Sequence, residues 1–351
     1  MRIHNLMFGK GRGGLEQAAL DYHRALAGCG HTVTSLLHKH AAMRPDFLEH
    51  GCHTRSLSPL GEWDPLATQQ LLRYHREDQP DVTICHGNRA IGLALRAARK
   101  RFPVIGVAHN YKIQKRFPQC DAVFSVSRDL TEEMVHLDIP RNRLATIPNM
   151  VELPPLPPHE VNPLPVIGTM GRFVPKKGFD VFLHALKGLK DQGVAFRAVL
   201  GGGGPEELAL RQLASQLGLQ EELTFTGWVE DKAAFFGGLD MFVLPSHHEP
   251  FGIVLLEAMS YGLPCVSTES EGPCEIVHPG EDALMVEVAH PHQMAHALKE
   301  LCESPQLRQQ LGGRARHLIS EHYTPHVVAA QLDRALQQIM PLLPEDAMLL
   351  Y

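Results

Sequence analysis

Short apolar runs alternate with amphipathic helical patterns along almost the whole chain. That alternation restricts it to parallel α/β sheets, with every strand-to-helix loop on one edge through right-handed crossovers. In the first half the expected strands are Arg2–Met7, His31–Leu37, Cys52–Leu57, Asp81–Cys85, Pro103–Ala108, Ala122–Val126 and Leu144–Ile147. In the second they are Val166–Met170, Phe196–Leu200, Leu223–Thr226, Met241–Leu244, Pro264–Thr268 and Ala283–Val286. Between the two series lies PNMVELPPLPPHEVNPLP, which starts at Pro148. A segment so dense in proline cannot carry a regular ladder and is semi-rigid. The expected division is therefore a first domain over residues 1–150, a linker over 151–165, a second domain over 166–322 and a terminal helical segment over 323–351. At 351 residues two domains are the natural reading.

Composition removes several function classes. A net charge of −6 argues against nucleic acid as a bulk partner, while leaving room for a local basic patch on an anionic membrane. Seven cysteines without a C-x-x-C pair look neither like a disulfide framework nor like a zinc site, so a reducing compartment is expected. No apolar run reaches about 18 residues, and the amino terminus lacks the shape of a signal peptide. The expected location is cytoplasmic, with peripheral contact at the inner face of a membrane left open. The 22 histidines read as mostly scattered surface residues, without H-E-x-x-H spacing; no metal or other cofactor is expected.

The most informative stretch is PSHHEPFGIVLLEAMSYGLPCVSTESEGP, from Pro245 to Pro273. A buried strand runs into Pro245. Glu249 then lies in the loop ahead of a helix expected over Ile253–Ser260, and Glu257 sits in that helix's second turn. Ligands of open α/β sheets bind at such strand ends. A helix start carries free N–H groups and partial positive charge suited to phosphate, and Gly252 permits close approach. Two carboxylates beside an anion site match a sugar attached to a diphosphate. Earlier, Arg172 and Lys177 stand five residues apart after a strand, ahead of a helix over Phe179–Leu189. Two cations there suit oxygens that gain charge as a glycosidic bond breaks. His109 ends the Pro103–Ala108 strand, where an imidazole can bond a sugar hydroxyl or a phosphate. His86 ends a neighbouring strand. Lys10, Arg12, Lys112, Lys115 and Arg116 form a candidate basic rim. Gly9 to Gly14 make a glycine-rich first turn, but no acidic residue follows near Leu37, so NAD is not expected.

These motifs, from Gly13 to about Val277, resemble the retaining GT-B glycosyltransferases, the family that includes sucrose synthase and bacterial mannosyl- and glucosyltransferases (glycosyl transferases group 1). The resemblance implies an α/β GT-B fold, with two Rossmann-like domains and parallel sheets facing across a cleft. It implies a hexosyltransferase that takes a nucleotide-sugar donor, a UDP-sugar by family frequency, and a glycan, lipid or small-molecule acceptor. By the same resemblance Glu249 binds sugar hydroxyls, and Phe251, Gly252, Ile253 and Val254 meet sugar and phosphate. Glu257 holds the ribose, Arg172 and Lys177 stabilise the leaving diphosphate, and His109 contacts the donor. Gly14 belongs to a loop over the phosphates, and Gly202 to a G-x-G-P turn. Trp228 and Val229 lie in the segment whose backbone reads the base, and Gly272–Val277 is a small loop near the donor. No D-x-D triplet occurs, which argues against the metal-dependent glycosyltransferase architecture. Competing readings are a nucleotide-sugar epimerase, a phosphorylase, or a non-catalytic nucleotide-sugar-binding protein.

Overall fold

The structure, a computed structural model, describes residues 1–99, 102–111, 115–156 and 164–342. It divides into two compact units, Met1–Met150 joined by the segment from Pro325, and Val151–Thr324. Lys112, part of the linker (157–163) and the 345–351 tail lie outside the described residues.

The first unit holds β1 (Arg2–Met7), β2 (Thr32–Leu37), β3 (His53–Ser56), β4 (Val82–His86), β5 (Val104–Ala108), β6 (Ala122–Ser125) and β7 (Leu144–Thr146). They form one parallel sheet in the order β3-β2-β1-β4-β5-β6-β7. β4 and β5 are buried along their whole length. This is the expected state for central strands covered by helices on both faces, and it explains why apolar residues dominate them, with Thr83 and His86 the polar exceptions in β4. The strand order reverses between β1 and β4. The helix Pro325–Ile339 belongs to this unit: Val328, Leu332, Leu336 and Ile339 share a core with Tyr22, Leu26 and Ile84. His31 Nε2 lies 2.8 Å from Asp333 Oδ1 at the rim of that contact.

The second unit holds β8 (Val166–Arg172), β9 (Arg197–Gly203), β10 (Leu223–Gly227), β11 (Met241–Leu244), β12 (Cys265–Thr268) and β13 (Leu284–Val286). Its sheet is also parallel, in the order β10-β9-β8-β11-β12-β13. Here the order reverses between β8 and β11, so the loops after those two strands flank the switch point where open α/β sheets take ligands. Phe182, Leu186 and Leu189 of the helix Phe179–Asp191 pack with Met294, Leu298 and Leu301 of the helix Pro291–Glu303. Among the described residues no helix is long and apolar enough to cross a membrane.

Two expectations are corrected. Gly272–Val277 is not a loop: Glu271–Ile276 forms a short helix, and Pro273 stands in its first turn, where a missing N–H costs little. The helices Arg44–Glu49 and Glu207–Gln216 were absent from the sequence reading. Most of the described histidines are at least partly exposed, as expected, but His4, His23, His38, His75 and His86 are buried in the first unit. Four of them find a partner from another segment, whereas His38 Nδ1 accepts from the backbone N–H of nearby His40 at 3.1 Å. His23 Nδ1 lies 2.8 Å from Ser35 Oγ, and His75 Nε2 lies 2.9 Å from Thr83 Oγ1, with its ring stacked on Phe102.

Burial penalises the charged form of these rings. The His23 imidazole is pushed down to about 4, with a smaller contribution from His53. That of His75 falls to about 2, first by burial and then through His4. Below the ordinary histidine value of about 6.5 the unfolded chain binds protons that the folded one refuses, so stability falls as pH falls. Between pH 6.5 and 5 each ring is expected to remove about 2 kcal/mol from the first unit, at about 1.4 kcal/mol per pH unit. Urea midpoints measured across that range check this. His75→Gln, which can still bond Thr83, flattens the slope, and a slope unchanged in that variant contradicts it.

Candidate functional site

In the second unit the loop after β8 and the loop after β11 meet. A turn, Pro175–Lys177, follows β8 and ends at Gly178 with φ +63°. A Cβ there would lie 2.0 Å from the Pro245 carbonyl oxygen, so only glycine allows this approach. The His247 N–H then donates to the Lys176 carbonyl at 2.9 Å. The result places the Lys177 ammonium on the Glu249 carboxylate as a largely buried ion pair. The Ser246 hydroxyl donates to the same carboxylate at 3.3 Å. The Lys177 stem lies 3.9 Å from where a Cβ on Gly171 would stand, next to Arg172. Arg172 itself is exposed at the end of β8, and its guanidinium has no ion pair or hydrogen bond among the described residues. One cation thus arrives already paired, and the other is free to meet an incoming anion.

Glu249 is held from behind. Its backbone N–H donates to Glu271 Oε2 at 3.0 Å, and its carbonyl accepts from Gly272 N at 2.8 Å. His248 Nδ1 lies 2.9 Å from the other Glu271 oxygen. Gly272 also has Phe251 backbone within 2.3 Å of any added Cβ, so the helix Glu271–Ile276 is seated directly on the Pro250–Gly252 turn. Gly252 opens the helix Ile253–Ser260 without a side-chain cap. The N–H groups of Ile253 and Val254 belong to its first turn, ahead of the first intrahelical bonds, where an anion is favoured. Phe251 is buried, with its ring near Tyr323. Glu257, in the next turn, pairs with Lys232. Asp231 positions that lysine by capping the helix Lys232–Gly237, accepting from Ala234 N at 2.9 Å.

The remaining donor-side candidates occupy adjacent strand ends of the same sheet. Gly202 lies at the end of β9, paired with Gly171 of β8. Trp228 and Val229 follow β10. Trp228 is 57% exposed, whereas Val229 packs over Gly201. Ser246, Lys232 and Glu271 are site-forming residues that the sequence reading missed. Glu271 stands just ahead of the Gly-Pro pair, the one local sign that it belonged to the site.

The first unit holds the other candidates. Gly14 is the first residue of the helix Gly14–Gly28, after the glycine-rich turn. The Glu16 carboxylate folds back over that turn, close to Gly9 and Gly13, and already supplies negative charge at this helix start. Of the basic rim, Arg12 pairs with Asp46 at 2.9 Å and Arg116 pairs with Glu62. Lys10 and Lys115 have no ion pair among the described residues. His109 follows β5, half-buried, with Nε2 2.9 Å from His86 Nδ1. Burial pushes its imidazole down to about 4, so it is neutral at pH 7. Among the described residues no cluster of three or more His, Cys, Asp or Glu side chains is arranged to hold a metal ion.

Comparisons with known proteins agree with this architecture. The family model for glycosyl transferases group 1 matches residues 158–318, and that for glycosyltransferase family 4 matches residues 12–154. The chain is 28% identical over 348 residues to the lipopolysaccharide core biosynthesis glycosyltransferase LpsD of Rhizobium meliloti, covering 95% of this chain and 97% of that one. It is 35% identical over 164 residues to LpsE of the same organism, named for the same process; that match covers 47% of each chain. The crystal structure of Anabaena HepE in complex with UDP and glucose has the same fold, with a TM-score of 0.82 at 19% identity over 96% of this chain and 99% of that one.

Proposed function

This chain belongs to the GT-B glycosyltransferases, and we propose that it transfers a hexose from a nucleotide-sugar to a hydroxyl of a cell-envelope glycan or lipid-linked acceptor, with retention of configuration. The carrying observation is the second unit's switch point. A free guanidinium (Arg172), a paired ammonium (Lys177 with Glu249) and an uncapped helix start (Gly252–Val254) gather where β8 and β11 end. That combination fits a diphosphate with a sugar beside it. The lipopolysaccharide core relatives support the envelope assignment, and the UDP complex of a similarly folded protein supports a UDP-sugar.

In this reading the donor's diphosphate rests on Arg172 and the Ile253–Val254 N–H groups. Glu249 accepts hydrogen bonds from sugar hydroxyls, and Lys177 turns part of its charge toward the phosphate. The anomeric C–O bond to phosphate breaks while charge builds on the departing oxygen, and the ring gains oxocarbenium character. The acceptor oxygen attacks from the same face and forms the new C–O bond. Its proton passes to a leaving phosphate oxygen. The protein's own cations and helix N–H groups carry the phosphate charge, so the reading is metal-independent. Glu257 with Lys232 holds the ribose, and Trp228 offers an exposed ring beside the base. His109 takes a substrate hydroxyl or phosphate.

A panel of UDP- and GDP-sugars tests the reading. A donor at 100 times its Kd is expected to stabilise the chain by about 2.7 kcal/mol, seen as a raised melting temperature. Its sugar then appears on an acceptor with unchanged anomeric configuration by NMR. If no nucleotide-sugar shifts the melt, the donor site is misassigned. An inverted product would end the retaining mechanism.

A further inference from the structure

His109 is the last member of a chain of side-chain hydrogen bonds that crosses three adjacent strands of the first unit. Asn5 of β1 places its amide nitrogen 2.8 Å from the Ala19 carbonyl and 3.1 Å from Ser35 Oγ. Its amide oxygen lies 2.9 Å from His86 Nε2, at the end of β4. His86 Nδ1 lies 2.9 Å from His109 Nε2, just after β5. The order of donors follows from one fixed point. A carbonyl oxygen only accepts, so the amide group facing Ala19 must be NH2, and the group facing His86 must be the oxygen. His86 Nε2 therefore carries a proton.

His86 is 1% exposed, with the Tyr22 ring packed edge-on against it at a centroid separation of 4.9 Å, and burial keeps its imidazole neutral. A neutral ring protonated on Nε2 has a bare Nδ1, which accepts from His109 Nε2–H. A neutral His109 protonated on Nε2 in turn has a bare Nδ1. That atom has no hydrogen-bond partner among the described residues, and its ring is half-buried at the strand end.

We propose that Asn5 and His86 are positioning residues that lock His109 as its Nε2–H tautomer, so that the ring offers substrate an Nδ1 atom that only accepts. The proposal rests on the reading that His109 meets substrate, and it sharpens that reading. An accepting nitrogen pairs with a hydroxyl and repels a phosphate oxygen, so the group opposite His109 is a sugar hydroxyl. Asn5 and His86 touch no substrate; they act through the proton they place on His109.

The test is nitrogen-15 NMR of the histidine rings at pH 7.5 in the full chain, beside steady-state kinetics. Wild-type His109 is expected to show a protonated Nε2 and a bare Nδ1. Asn5→Asp puts a carboxylate against His86 and draws a second proton onto it. The His86 Nδ1–H then donates, and His109 must move its own proton to Nδ1. Transfer is expected to fall by about tenfold, the effect of one lost hydrogen bond. His86→Gln rescues, because its amide N–H can donate to Asn5 while its oxygen accepts from His109; tautomer and rate stay near wild type. His86→Leu cannot do this and behaves like Asn5→Asp in rate, with His109 released to a mixture of tautomers. A wild-type His109 protonated on Nδ1, or an Asn5→Asp ring unchanged from wild type, overturns the relay. Unchanged transfer in His109→Ala, with the tautomers as expected, overturns instead the reading that His109 meets substrate.

Discussion

Lys177→Ala should cost the protein both turnover and stability. Its ammonium and the Glu249 carboxylate form an ion pair in which neither side chain is more than 18% exposed. Removing one partner of such a pair leaves a buried charge without compensation, a loss of about 3–5 kcal/mol. The second unit's unfolding midpoint should therefore fall by several degrees. A lost rate in this variant is then ambiguous by itself. The double variant Lys177→Met/Glu249→Gln separates the effects. With no charge left to strand, and with Ser246 still able to bond the amide, most of the stability is expected to return while transfer remains lost. Double-mutant coupling should exceed about 1 kcal/mol in stability, as for groups in direct contact. If the double variant melts as low as the sum of the two single losses, the pair is not the coupled unit described here.

Arg172→Ala is expected to show the opposite separation. The guanidinium is exposed and without a partner among the described residues, so its removal should change stability by no more than about 0.5 kcal/mol. Its proposed work is largest when the diphosphate gains charge. A preorganised donor lost from such a position typically lowers kcat by about 10²–10³-fold. Arg172→Lys retains the charge and loses the planar two-pronged contact, so it should fall between. Donor binding by thermal shift should weaken far less than kcat falls, because the interaction strengthens in the transition state. Turnover within a factor of a few of wild type would remove Arg172 from the phosphate site.

The layers of the fold were legible because the signal is local. Strands such as Val104–Ala108 and Met241–Leu244 are continuous apolar runs, and each is followed by a polar or proline-led loop. The helix Ile253–Ser260 could be read to the residue, since Gly252 precedes it and an apolar run fills it. What escaped depends on contacts between distant segments. Glu271 looked like a loop residue, and its grip on the Glu249 backbone exists only because Gly272 admits Phe251. His23 and His75 read as polar surface because nothing near them in the chain announces Ser35 or Thr83 as partners. Asn5 stands next to His4 in β1, between Ile3 and Leu6, and the sequence carried no sign of what it would hold. The Lys177–Glu249 contact joins residues 72 positions apart, so the motif named both side chains without showing that they meet.

The helix Pro325–Ile339 has a consequence for how the polypeptide is made. Val328, Leu332 and Leu336 complete the same core as Tyr22 and Ile84. A ribosome therefore delivers more than three hundred residues before that apolar surface can close. Until then the nascent first unit exposes a greasy face, while the intervening unit already has every segment it requires. The later unit is thus positioned to fold first, and the earlier one waits until the Pro325–Ile339 segment emerges, exposed to chaperones in the interval.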